Sequence, residues 1–307
     1  MRGGLALALA LAFAAQAQAR TLAVGPGQEY PLPSAAAAVA QDGDRIEIHP
    51  GRYRDCAIWR ANRLVITGTG LADATVVSDR ICEAKAIFVT KGDDITVRNL
   101  TLARATIVWG NAAGIRGEGH ELVIEGVRFI GNENGILTGV ADGGMYVRNS
   151  LFDGNGACRG ACAHGIYASG LDLLRVEHSR FLRTRDAHHI KSRAKRTEVL
   201  DNSIQDGPEG TASYEIDVPD GGAVLIRGNT IEKGPKSGNR TTAISIGEES
   251  NKNPTPEITV EKNRFRNDMP APTTFVTNLS TTPAILRGNV LQGAVNPLTG
   301  SGEVAPP

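Results

Sequence analysis

Eight times between residues 97 and 291 the chain repeats one short arrangement: an apolar residue, two free positions, usually a small residue or asparagine, one more free position, and a second apolar residue. The segments are Val97–Leu102, Ile124–Phe129, Val147–Phe152, Val176–Phe181, Val199–Ile204, Ile226–Ile231, Val260–Phe265 and Leu286–Leu291. Their starts lie 23 to 34 residues apart. An imperfect period in the twenties, built from short β-type segments, predicts a solenoid of stacked coils whose loops differ in length. Asn202, Asn229, Asn263 and Asn289 all hold the fourth position. Asparagine tolerates left-handed backbone and hydrogen-bonds locally, so it suits a bend repeated in every coil. A sandwich or barrel has no reason to repeat one bend in this way.

Ahead of the repeats, after Thr21-Leu22-Ala23-Val24, the pattern predicts a short helix over Ser34–Ala40 with Ser34 as N-cap. A Gly43-Asp44 turn, a strand Arg45–His49, a Pro50-Gly51 turn and a strand Leu64–Gly68 follow. The helix, the Gly-Asp turn, the strand and Pro50-Gly51-Arg52-Tyr53, taken with the eight repeats, resemble the right-handed parallel β-helix of pectin-lyase-like proteins. The resemblance spans nearly all of the chain after residue 19. It implies an all-β solenoid of about ten coils made from three short sheets, with apolar ladders inside and the short helix capping the N-terminal end. The expected division is an export signal over 1–19, a β-helix over 20–292 and a loosely ordered, Gly- and Pro-rich tail over 293–307.

In such a lattice, equivalent residues of successive coils stack. A second strand in each coil centres on Ile115, Ile136, Ile166, Ile190, Ile216 and Ile244. The residues after these form the column Arg116, Leu137, Tyr167, Lys191, Asp217, Ser245, and those before form Gly114, Gly135, Gly165, His189, Glu215, Ala243. Strict alternation turns His189, Lys191 and Arg193 outward and Ile190 and Ser192 inward. An outer patch of Tyr167, His189, Lys191, Glu215 and Asp217 follows, with Arg193 at its margin, Arg196 just downstream, and three glycines keeping the approach low. His164 and His188 share their position with Tyr214 and are expected inside as a polar ladder, His164 remaining a candidate substrate contact. A row of cations repels itself unless an anion lies on it. Either Glu215 and Asp217 neutralise it as a plain salt-bridge ladder, or a polyanion binds there.

Charge and cysteines narrow the partner. The chain has 33 basic and 33 acidic residues, so no global field gathers nucleic acid. Met1-Arg2, an apolar run from Leu5 to Ala15 and Ala17-Gln18-Ala19 read as an export signal, and no later stretch is apolar enough to span a membrane. Four cysteines suit an oxidising compartment, with Cys158–Cys162 and Cys56–Cys82 as pairs. A zinc site is the weaker reading, because no Cys-x-x-Cys is present.

The patch fits β-elimination from a uronate-containing polysaccharide. That reaction needs a cation on the sugar carboxylate, a base for the acidified C–H and an acid for the departing oxygen. Lys191, crowded by cations, is the candidate base; Arg193 binds carboxylate; Tyr167 or His189 is the acid. Glu215, Asp217, His164 and Arg196 are the candidate substrate-binding residues. Ile190-Lys191-Ser192 resembles the Lys-Ser strand of the alginate lyase and chondroitinase B family, which implies Lys191 as base. That family's Arg-His-Gly strand is replaced here by Tyr214-Glu215-Ile216-Asp217. Calcium is a possible cofactor through Glu215, Asp217 and Glu248. A glycoside hydrolase using Glu215 and Asp217 is one alternative, and a non-catalytic glycan-binding or envelope module is another. A secreted or periplasmic monomer is expected.

Overall fold

A computed structural model describes residues 19–140 and 142–305. The expected export signal lies outside them but for its last residue. The chain winds through three parallel sheets in turn, of 12, 10 and 10 strands, so the expected parallel β-helix is what forms. The first sheet begins with Thr21–Val24, the second with Gly51–Tyr53 and the third with Ala57–Trp59. No helix among the described residues is long and apolar enough to cross a membrane.

Each six-residue repeat straddles the bend from the first sheet to the second. Val199 lies in the first-sheet strand Arg196–Leu200 and Ile204 in the second-sheet strand Ser203–Gln205, both fully buried. Phe129, Phe152 and Phe181 stack at 4.7 and 4.5 Å between ring centroids inside the second sheet. Across the interior, Ile115, Ile136, Ile166, Ile190, Ile216 and Ile244 pair strand to strand in the third sheet and are wholly buried. Each such side chain contributes roughly 1.5–3 kcal/mol, which pins the register of every coil to its neighbours.

The bend works differently from the sequence expectation. Its left-handed residue is the third of the repeat, not the fourth: Asn99, Gly126, Asn149, His178, Asp201, Gly228, Lys262 and Gly288 have φ between 49 and 72°. The fourth-position asparagines act through their side chains. Asn202 N–H donates to Asn229 Oδ1 at 2.9 Å, Asn229 N–H to Asn263 Oδ1 at 2.9 Å, and Asn263 N–H to Asn289 Oδ1 at 3.0 Å. The ladder thereby satisfies buried amides that a bend takes out of the sheet.

The ends hold two further corrections. The helix is Pro33–Ala37, opened by proline at its first turn; Ser34 does not cap it with its side chain, and its N–H donates to Asp55 at 2.8 Å instead. The stretch expected to be a loose tail forms the strands Val295–Gly300 and Gly302–Ala305, which extend the third and first sheets. Gly300 and Gly302, at φ 95 and 152°, flank the turn between these strands, and Pro297 lies within the first of them. Both disulfides form as expected, Cys56–Cys82 and Cys158–Cys162.

Candidate active site on the third sheet

Three consecutive third-sheet strands, Ile166–Ala168, Ile190–Ser192 and Ile216–Val218, carry Tyr167, Lys191 and Asp217 in direct register. Their neighbours in the column are Leu137 and Ser245. Because Ile166, Ile190 and Ile216 fill the core, alternation turns this column outward. Lys191 Nζ lies 2.8 Å from Asp217 Oδ2 and 2.8 Å from Glu249 Oε1. Arg193 donates from Nε to the Tyr167 hydroxyl at 2.9 Å and from a terminal nitrogen to Asp220 Oδ1 at 2.6 Å, and it also pairs with Glu249.

Alternation fails one residue before each isoleucine. His189 and Glu215 are corner residues, not strand residues, and both are fully buried inside the coil. His189 Nδ1 meets Thr184 Oγ1 at 2.7 Å, and Nε2 lies 3.1 Å from Asp206 and 3.2 Å from Glu215. Lys233, also fully buried, sits 3.5 Å from Glu215 and donates to the Ser213 carbonyl at 2.7 Å. Two cations and two carboxylates therefore neutralise each other in a sealed corner. Burial opposes the His189 charge, but Asp206 and Glu215 outweigh it and push the imidazole up to about 9. Burial, with Asp206 beside it, raises Glu215 against the pull of Lys233 and His189. His189 is thus no surface acid, and Glu215 does not touch a substrate on the outer wall.

The same corner inverts the fate of the other histidines. His164, His188 and Tyr214 do not line the core; they stack beside the Lys191 column, with centroids 4.7 and 5.0 Å apart. His164 Nδ1 accepts the His188 N–H at 3.2 Å, and His188 Nδ1 accepts the Tyr214 N–H at 3.2 Å. Both rings are therefore Nε2–H tautomers when neutral. Burial, reinforced by Lys191, drives His188 down to about 3, and burial with His188 nearby lowers His164 well below its ordinary value. They are neutral N–H donors at working pH, and neither offers a lone pair to abstract a proton.

Lys191 also departs from its expected role. Burial alone would lower it, but Asp217 and Glu249 overcome that and raise it, which favours the ammonium over the free amine that the expected base role needs. Burial lifts Asp217 up to about 6 against the pull of Lys191. The glycine column has a different cause as well. A Cβ at Gly135 would meet the Gly165 carbonyl oxygen at 2.4 Å and the Phe152 ring at 2.7 Å, so these glycines make room inside the corner and do not lower an outer surface. Arg196 opens a first-sheet strand, where Glu198 and Glu257 hold it at 2.7 and 3.0 Å, on another wall.

The expected calcium set is divided by the sheet: Glu215 is inside, whereas Asp217 and Glu248 are outside, with Glu248 taken by the Tyr214 hydroxyl and Ser245. His189, Asp206 and Glu215 bring ligand atoms within 4.8 Å of one another. With His189 protonated, their direct contacts and the Lys233 ammonium already balance the two carboxylates. The hydrolytic pair fails for the same reason as the calcium set, since Glu215 and Asp217 face opposite sides of the wall. Asp220 and Asp206 had not been singled out in the sequence. Asp220 could have been found from the Pro219-Asp220-Gly221-Gly222 turn that follows the Asp217 strand.

No protein-family model matches the sequence, and no curated protein matches it. Among solved structures, an alginate lyase from Paenibacillus sp. str. FPU-7 is similar at 16% identity, covering 91% of this chain and 99% of that one, with a TM-score of 0.48. The A-module of the mannuronan C-5 epimerase AlgE6 from Azotobacter vinelandii shows 17% identity over 90% and 94%, TM-score 0.47. The pectin methylesterase PemA from Erwinia chrysanthemi shows 9% over 70% and 80%, also at 0.47. The likeness is one of fold, and it assigns no residue of this chain a role.

Proposed function

We propose that this is an exported carbohydrate-active protein that binds an acidic, uronate-containing polysaccharide along the outer wall of the third sheet and cleaves it by β-elimination. The observation that carries the reading is the in-register column Tyr167, Lys191, Asp217, with Arg193 donating to the Tyr167 hydroxyl. Two cations beside one phenol supply what elimination requires. Lys191 and Arg193 meet the sugar carboxylate and the negative charge that builds on it as the neighbouring C–H is broken. Tyr167, whose oxygen accepts the Arg193 N–H, takes that proton when it is in its deprotonated form. The bond from the adjacent carbon to the glycosidic oxygen then breaks and a carbon–carbon double bond forms. The leaving oxygen takes the proton back from Tyr167, so no proton is gained or lost. Two disulfides fit an oxidising compartment and support export.

A second reading, a non-catalytic glycan-binding or envelope module, draws on the fact that Lys191 and Arg193 already have carboxylate partners. Incubation with alginate, pectate, glycosaminoglycans and bacterial exopolysaccharides separates the two. Elimination gives products that absorb in the ultraviolet. Retention on immobilised polysaccharide without any product is the outcome that rejects the enzyme.

A further inference from the structure

Glu249 does not belong to the wall it contacts. It sits on the loop that follows the third-sheet strand Thr242–Ile246, and it reaches back to Lys191, two strands away. One carboxylate oxygen takes Lys191 Nζ at 2.8 Å and the other takes the Arg193 guanidinium. Yet each cation already has a buried partner from the wall itself: Asp217 for Lys191 and Asp220 for Arg193, both 1% exposed. Glu249 is the exposed anion of the group: its side chain is 45% exposed against 9% for Lys191 and 17% for Arg193. It approaches from the solvent side, where a ligand would approach.

We propose that Lys191 and Arg193 form a subsite for one sugar carboxylate, and that Glu249 is an internal carboxylate occupying it, which an incoming uronate displaces. The inference rests on the reading of the wall as a uronate site and adds how that site is kept filled. An exposed ion-pair arm exchanges cheaply, because water and salt compensate its loss. The loop has its own anchors, so it need not unfold when Glu249 swings out. Asn253 N–H donates to the Asp220 carbonyl at 3.0 Å, Ser250 Oγ to Asp220 Oδ1 at 2.8 Å, and Lys252 pairs with Asp220 at 2.8 Å. Gly247, at φ 77°, marks where the loop leaves the strand.

The test is calorimetric binding of tetragalacturonate, tetramannuronate and their methyl esters to the full chain, to Glu249→Gln and to Glu248→Gln. Glu249→Gln is expected to bind at least one acid oligomer about fivefold more tightly than the unaltered protein, with no gain for the esters. Glu248→Gln, whose carboxylate serves Tyr214 and Ser245, should show no such gain. Equal or weaker binding by Glu249→Gln, or no uronate binding by any of the three proteins, overturns the proposal. If Glu249→Gln gains nothing while the unaltered protein cleaves the polymer, elimination stands and the displaced-carboxylate model falls. If Glu249→Gln gains affinity and nothing is ever cleaved, the subsite stands and elimination falls. An unchanged melting profile of Glu249→Gln confirms that the comparison is between folded proteins.

Discussion

Two ionic clusters lie on opposite sides of the same few residues. Inside the corner, His189, Asp206, Glu215 and Lys233 are fully buried and form their ion pairs with one another. Outside, Lys191, Arg193, Asp217 and Asp220 pair across the wall, joined from the following loop by the exposed Glu249 and Lys252. His189 and Lys191 are two residues apart, as are Glu215 and Asp217, a spacing that on a continuous strand would put each pair on one face. The corner separates them. Burial then decides what each cluster can do: the inner one has no access to a ligand and holds two bends together, whereas the outer one keeps a phenol and two cations within reach of solvent.

The comparison breaks most readily from the inside. Glu215→Ala leaves His189 and Lys233 buried with one carboxylate between them, and should cost about 3–5 kcal/mol in urea unfolding. A loss of less than about 1 kcal/mol would mean the corner is wetter than its burial indicates. Next comes pH. His189 is raised from 6.5 to about 9 on folding, so the stability it contributes is complete below 6.5 and disappears as pH rises through about 9. The advantage of the unaltered protein over His189→Gln should therefore shrink by roughly 3 kcal/mol between those values, read from urea midpoints across the range. An advantage that grows with pH would reverse the assignment.

The outer cluster predicts smaller changes in stability and a change in binding. Lys191→Met should weaken binding of an acidic oligosaccharide by about tenfold while leaving the esterified form unaffected. Smallest of all is Arg196→Ala. On the first sheet and paired with Glu198 and Glu257, it should alter that affinity by less than about twofold.

The coil and its lattice were readable because they depend on repetition. The isoleucine alignment alone places Tyr167, Lys191 and Asp217 side by side, as the strand register has them. What the alternation rule could not convey is where a three-residue strand stops. His189 and Glu215 lie one position outside their strands, so their side chains follow the corner and not the pleat. The signal was present in the sequence: Gly114, Gly135 and Gly165 in the same column mark a position where a Cβ meets backbone or aromatic ring. A histidine and a glutamate placed there have to go deep into the corner. The raised Lys191 follows first from Asp217, its neighbour in that column, and then from Glu249, which the sequence places only at the rim of this face and which reaches Lys191 from 58 residues away.

Release of ultraviolet-absorbing product from an acidic polysaccharide, compared between the unaltered protein and Tyr167→Phe at equal folded concentration, bears most directly on the outer wall as a catalytic surface. Loss of one hydroxyl should slow that release by at least about a hundredfold without moving the urea midpoint. Product formed equally fast by both proteins would contradict the assignment of Tyr167 and, with it, the reaction drawn on this wall.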